Sequence, residues 1–188
     1  MKRITFLLLT AAISTSVFAA SETYTIDNTH TYPRFSYSHL GYSTQLSRFD
    51  KTAGKIIIDR EAKTGSVNVT IDTKSVNTGS PLFNEHIKGA DFLDTAKYPT
   101  ATFTSNKLNF DGDNVSSVDG TLTLKGISKP VTLTVTSFQC MFHPMLLKGA
   151  CGADVTTIVK RTDFNMGKYA PLVGDDVTLT IAVEAVKE

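Results

Sequence analysis

Apolar and polar residues alternate with a period of two along most of the chain. Val67, Val69 and Ile71 alternate with Asn68, Thr70 and Asp72, and Val131, Leu133 and Val135 alternate with Thr132, Thr134 and Thr136. Towards the end, Val177, Leu179, Ile181 and Val183 share one face, with Thr178 and Thr180 on the other. Phe35, Tyr37 and His39 stand opposite Ser36 and Ser38, and residues 121–125 alternate more briefly. Successive side chains of a strand point to opposite faces, so the pattern predicts strands with one dry and one wet side. Turn chemistry at residues 61–65 and 111–114 predicts hairpins between them. Residues 80–98 break the rule. Pro81 suits a first helical turn, Leu82, Phe83, His86 and Ile87 recur at helical spacing, and Gly89 suits a C-terminal cap. A second short turn is expected over residues 91–95, before Tyr98 and Pro99 restore extended chain. No linker, low-complexity run or strong internal repeat interrupts the pattern. It predicts one all-β domain, an antiparallel sandwich or closed barrel with a short helical insertion.

Composition narrows the function. The chain has 188 residues, 41% of them apolar, which is ample for a core. With 19 basic and 18 acidic residues it is close to neutral and lacks the electrostatic footprint of a nucleic-acid binder. Lys2 and Arg3 followed by the apolar stretch 4–18 read as a secretory signal, with Val17-Phe18-Ala19 as the cleavage site. The expected organisation is a signal peptide at 1–19 and a mature domain at 20–188. A membrane anchor is the weaker reading, because the stretch is short of a full span and is interrupted by Thr10, Ser14, Thr15 and Ser16. Export to an oxidising compartment makes a disulfide the expected fate of Cys140 and Cys151, which enclose residues 141–150 and lack redox or zinc spacing.

Candidate chemistry is sparse. There is no nucleophile elbow, P-loop, dinucleotide fingerprint or zinc-protease motif. Asp27 and His30 supply a carboxylate and an imidazole, but on an extended chain positions three apart face opposite sides. His30, His39, His86 and His143 fall one per segment, without the spacing of a metal site. Residues 111–114 resemble the start of a calcium loop, yet Leu122 stands where the closing glutamate belongs. Asn68 and Asn114 begin short glycosylation patterns inside or beside predicted strands. The positive signal is a set of aromatics spread over many strands. They either fill a barrel or line a cavity within it, and an eight-stranded barrel permits both.

The wording of the sequence resembles the YceI-like family of periplasmic lipid- and polyisoprenoid-binding proteins. The likeness begins with Tyr24-Thr25-Ile26-Asp27, His30, Phe35 and His39-Leu40-Gly41-Tyr42-Ser43. It continues through Phe49, Gly54-Lys55-Ile56-Ile57-Ile58-Asp59, Val67-Asn68-Val69-Thr70-Ile71-Asp72 and Ser75-Val76-Asn77-Thr78. It is densest from His86 to Pro99 and from Ala101 to Ser105. It closes with Gly120 to Val131, Arg161-Thr162-Asp163-Phe164 and Val173-Gly174-Asp175-Asp176-Val177.

The resemblance implies an extended, lipocalin-like, eight-stranded antiparallel β-barrel, with a helical segment near its open end. It also implies an apolar cavity for a long isoprenoid or fatty chain, without catalysis, metal or cofactor. The expected ligand-binding residues are Phe35, Tyr37, His39, Phe49, Val69, Phe103, Phe138 and Phe164, with Phe83 and Phe92 in the helical insertion. Tyr37 and His39 are either head-group partners or satisfied core polar groups. Arg161 pairs either with an anionic head or with a carboxylate such as Asp163. The family often carries an Arg-Asp pair where this chain has Phe83-Asn84, a departure that favours a neutral or amide head. A second departure is the apolar 141–150 loop, with Phe142, Met145, Leu146 and Leu147, expected over a barrel end, against a partner, or packed on its own barrel. The expected partner is the lipid chain, and transient membrane contact and a homodimer are both compatible. The rival functions are an accessory to quinone- or isoprenoid-linked membrane electron transfer, an enzyme acting on an isoprenoid, or a ligand-free protein with a solid core.

Overall fold

The alternating segments fold into strands that put their apolar face inward, and the 17-residue strand Ile127–His143 keeps that alternation through most of its length. The structure is a computed structural model that describes residues 21–188, so the expected signal peptide and its cleavage site lie outside the described residues. The strands are β1 (Glu22–Ile26), β2 (Tyr32–His39), β3 (Ser43–Phe49), β4 (Thr52–Asp59), β5 (Thr64–Asp72) and β6 (Val76–Asn77), followed by α1 (Pro81–Lys88). Then come β7 (Thr100–Asp111), β8 (Asn114–Leu124), β9 (Ile127–His143), β10 (Lys148–Lys160) and β11 (Asp176–Lys187). Antiparallel pairing runs β1-β4-β5-β7-β8-β9-β10-β11 and returns to β1 through Tyr24↔Lys187, Thr25↔Val186 and Ile26↔Ala185. Eight strands therefore close a barrel, and β2, β3 and β6 extend outward from β11.

The closure depends on how β11 divides its edge. Its C-terminal end pairs with β1, while Thr178 to Ala182 pair with β2. Between the two, the chain leaves the sheet for residues 27–31, and Glu184 would lose its ladder partners. Asp27 N and Thr31 Oγ1 donate to the Glu184 carbonyl, at 2.9 and 3.1 Å, and Glu184 N donates back to Thr31 Oγ1 at 3.0 Å. Thr31 is 2% exposed, so these bonds replace backbone pairing that water cannot supply. Asp27 and His30, expected to face apart, meet instead. The Asp27 carboxylate accepts from Thr29 N at 2.8 Å and lies 2.8 Å from His30 Nδ1. This is a side-chain turn, not a strand.

The helix forms where its start signals lie. The Ser80 hydroxyl accepts from Phe83 N at 3.4 Å, and Pro81 opens the first turn. Gly89 does end the helix, but at φ −65° it does not use glycine's left-handed freedom. Instead a Cβ there would sit 3.1 Å from the His86 carbonyl oxygen. The following turns dock back through Leu93 N to Ile87 O and Thr95 N to Lys88 O, both at 3.0 Å. The β8–β9 turn holds Lys125 and Gly126 at positive φ, and a Cβ on Gly126 would meet the Tyr98 ring at 2.7 Å. Lys125 is buried, and its Nζ donates to Ala90 O at 2.7 Å and Asn165 O at 2.8 Å, tying two loops at one barrel end.

Cys140 and Cys151 lie directly opposite each other on β9 and β10 and form a disulfide. The residues between them are not a free loop. Both strands continue, and only 144–147 form the turn. Met141, Phe142, Met145, Leu146 and Leu147 are all exposed there, so this hairpin end is not packed onto its own barrel.

Two stability predictions follow from these contacts. Replacing both Cys140 and Cys151 with serine should cost at most about 3 kcal/mol, because the ladder already holds the hairpin. For a domain of this size that is a fall in Tm of up to roughly 12 °C, read by thermal unfolding of the oxidised protein. An unchanged Tm would show that strand pairing alone holds the hairpin. The Asp27 carboxyl is held down at about 2, chiefly by hydrogen bonds from Thr29 and His30. The same Asp27 contact raises the His30 imidazole above its usual value. The carboxylate's contribution is therefore complete above the unfolded value of 3.8 and is lost as pH falls towards 2. That of His30 is complete below 6.5 and is lost as pH rises through its raised value. The destabilisation by Asp27→Asn should accordingly be largest between about pH 4 and 6.5 and should shrink on the acid side. Denaturant titrations of both proteins across that range decide it; a pH-independent difference contradicts the ion-pair account.

Candidate functional site

The inward faces do not meet. Buried apolar residues form three separate clusters instead of one contiguous core. The first holds Phe103, Leu108, Val118 and Phe164, the second Tyr24, Ile26 and Ala185, and the third Phe49, Val76, Ile87 and Leu93. Between them lies a cavity of about 370 Å³, within the range of small-molecule sites. Its wall is almost wholly apolar and draws on the barrel strands, on β2, and on α1 with the turn after it.

Among the described residues of that wall only His86 and Tyr169 are exposed, which places the mouth at the α1 end. A chain of rings borders it: Phe83 to His86 at 5.7 Å, His86 to Phe92 at 5.0 Å, and Phe92 to Tyr169 at 6.3 Å between centroids. Across the wall Phe35 stacks on Tyr37 at 6.4 Å and tilts against Phe49 at 5.5 Å. Such offset and tilted rings bury a large area with few rotatable bonds. Phe35, Tyr37 and His39 alternate inward along β2, which pairs with β11 beside the barrel.

Of the residues expected at the site, Phe35, Tyr37, His39, Phe49, Val69, Phe83, Phe92, Phe103 and Phe138 line the cavity. Phe164 does not. It sits in the short 3₁₀ turn Arg161–Phe164 and is 1% exposed, packed into the first cluster. Residues that sequence reasoning missed include Met166, Tyr169 and Val173, all from the irregular segment after that turn. Their local signals were the neighbouring Arg161-Thr162-Asp163-Phe164 motif and, for Val173, the Val173-Gly174-Asp175-Asp176-Val177 motif that it opens.

Polar groups on the wall are few. Thr52 Oγ1 is buried without a hydrogen-bond partner. Burial raises the Tyr37 phenol above its usual value, and Tyr24 is pushed up to about 12 by burial and by its hydrogen bond to Glu22. Arg161 is 6% exposed and forms no ion pair with Asp163 or any other described carboxylate. Nε donates to Gly174 O at 2.8 Å, Nη1 to Met166 O and to Lys168 O at 2.8 Å, and Nη2 to Val173 O at 2.7 Å. The guanidinium thus clamps the mouth segment through backbone carbonyls, and desolvation pulls its pKa below the usual value without discharging it.

One group could hold a cation on proximity alone. Donor atoms of Asp27, His30 and Glu184 lie within 4.8 Å of one another at the β1–β2 break. Both Asp27 oxygens already accept bonds from Thr29 and His30, so the carboxylate is committed to the turn. The other histidines stay apart: His39 and His86 on the wall, and His143 at the hairpin end, where Nδ1 accepts from Leu146 N at 3.2 Å.

Comparison with known proteins gives the same picture. Residues 24–185 match the family model described as the YceI-like domain. Protein YceI of Escherichia coli is 38% identical over 173 residues, covering 90% of each chain. Burkholderia cenocepacia BcnA superposes with a TM-score of 0.73 at 25% identity, over 85% of this chain and 98% of that one. The YceI protein of Campylobacter jejuni gives 0.70 at 28% identity, over 80% and 90%. A polyisoprenoid-binding domain from Saccharophagus degradans, at 19% identity, shares the fold with a TM-score of 0.65 over 88% and 98%. A closed eight-stranded barrel around an apolar cavity and a match over nearly all the described chain lead to one conclusion: the chain belongs to the YceI-like family.

Proposed function

We propose that this protein is exported to the periplasm after cleavage behind Ala19 and there sequesters or carries a long-chain isoprenoid or similar amphiphile. The observation that carries the reading is the apolar cavity itself, open at one end through an aromatic border. A hydrocarbon tail needs little specific chemistry from such a wall. Burial gains about 0.8 kcal/mol per CH₂, so a dozen groups supply roughly 10 kcal/mol before association costs. The disulfide supports an oxidising compartment. A polyisoprenoid-binding domain of the same fold supports the ligand class. The site carries no catalysis in this reading, since the wall offers isolated imidazoles and phenols and no nucleophile paired with a base.

Transient membrane contact fits the mouth. Leu40, Tyr42 and Leu172 are exposed there, and Leu40 N donates to Leu172 O at 3.0 Å, so two apolar segments form one edge. The exposed hairpin end around Phe142 is the surface on which a homodimer would form.

Native mass spectrometry of the mature protein, followed by organic extraction, should find a long-chain molecule at about one per chain. Narrowing the tunnel with Val69→Trp should weaken uptake of a fluorescent prenyl probe at least ten-fold, whereas His39→Ala should change it less than about three-fold. Protein that is always empty and takes up neither a prenyl nor an acyl probe overturns the reading. Loss of function in His39→Ala with uptake intact would favour an enzyme instead.

A further inference from the structure

We propose that the cavity mouth selects amphiphiles whose head group presents an oxyanion, held by Arg161 and Tyr37 while the tail fills the hollow. This rests on the carrier reading for the tail and adds the head group. Among the described residues that line the cavity, apart from tyrosines and the disulfide-bonded Cys151, those able to titrate are Arg34, His39, His86 and Arg161, and none is Asp or Glu. Every permanent charge facing the hollow is therefore positive.

Arg161 is the buried one. It is 6% exposed and forms no ion pair with a described carboxylate; its partners are four backbone carbonyls. A guanidinium has five N–H donors, so one on Nη2 remains available. A buried cation without a counter-charge is costly, and an anion that reaches it relieves that cost.

Backbone connections place Tyr37 beside it. Arg161 Nε donates to Gly174 O, Gly174 N donates to Ser38 O at 2.8 Å, and Val173 bridges to His39. Tyr37 precedes Ser38 and lines the cavity, and its hydroxyl makes no hydrogen bond to any described residue. Burial keeps its phenol protonated and therefore a donor. A charged and a neutral donor thus converge just inside the opening marked by Tyr169, whose neighbour Lys168 gives its carbonyl to the same guanidinium. Charge-assisted hydrogen bonds are about twice as strong as neutral ones, so this pair discriminates by charge. Phe83 in place of the family's arginine argues for a neutral head only if no other cation faces the ligand, and Arg161 does.

A carboxylate and a phosphate monoester share this chemistry, and separate probes distinguish them. Dissociation constants would be measured on the mature protein for four probes with one identical long alkyl tail: carboxylate, phosphate monoester, primary amide and alcohol. At least one oxyanion should bind about ten-fold or more tightly than the amide and alcohol. The tighter of the two oxyanions names the source. Arg161 also clamps the mouth, so the variant is Tyr37→Phe, which removes only the hydroxyl. It should shrink the oxyanion advantage by about three- to ten-fold and leave alcohol affinity within two-fold. Four equal affinities overturn the head-group inference and leave the carrier reading standing. An oxyanion advantage untouched by Tyr37→Phe removes Tyr37 from the site. Failure of all four probes to bind overturns the carrier reading together with this one.

Discussion

The structure depends on the divided edge of β11. One end pairs with β1 and closes the barrel, and the other pairs with β2 and carries three strands outward. An eight-stranded barrel of uniform pairing has an interior that side chains can just fill. Here the departing β2 adds Phe35, Tyr37 and His39 to the wall beside the barrel strands, and the inward residues gather into separate clusters around the cavity, one with Leu108 and Val118 and another with Phe49. The cavity follows from the pairing and not from unusually small side chains. That division is stable because the Thr31 hydroxyl and Asp27 N take over the ladder bonds of Glu184, which would otherwise be lost in a dry place.

A hollow forfeits dispersion contacts on every side chain that faces it. The compensation is local and polar. Lys125 and Arg161 are buried cations whose partners are backbone carbonyls, and both act on the mouth segment after residue 160. Lys125 ties that segment to the turn behind α1 through Asn165 O and Ala90 O; Lys168 adds an ion pair to Asp91. The opposite end is held by the disulfide across β9 and β10. The mouth is thus pre-organised by hydrogen bonds to its backbone as well as by the rings that border it.

Much of the barrel was legible in the sequence because each strand keeps one wet face. Val131, Leu133 and Val135, or Leu179, Ile181 and Val183, face the cavity as their alternation required. The helix was legible at its start, where Ser80 and Pro81 carry local signals. What escaped were features decided by distant partners. β3 is exposed over most of its length and shows no dry face, so nothing marked it as a strand. Phe164 was expected among the ligand-binding residues, but it falls in a 3₁₀ turn and is packed into the first cluster without lining the cavity. Tyr169 and Met166 lie in irregular chain, where no periodicity assigns a side. The 141–150 segment read as a loop because Pro144 and Gly149 suggest turns, yet strand pairing continues past Gly149.

The distribution of charge also separates stability from recognition. Ion pairs such as Lys55 with Glu188 and Lys160 with Asp176 are solvent-exposed and contribute little. The cavity wall, by contrast, contains cations and, among the described residues, no carboxylate. Had the buried guanidinium served the fold alone, a neighbouring carboxylate would have satisfied it more completely than carbonyl dipoles do. Asp175 is close enough to influence Arg161 but spends its oxygens on Thr162 N and Thr162 Oγ1, at 2.9 and 2.8 Å. Asp175 is thereby held by Thr162, and Arg161 is left without an ion pair among the described residues. A site that must both accept a hydrocarbon tail and orient its head needs this asymmetry: a largely apolar interior, with fixed charge of one sign confined to a few positions.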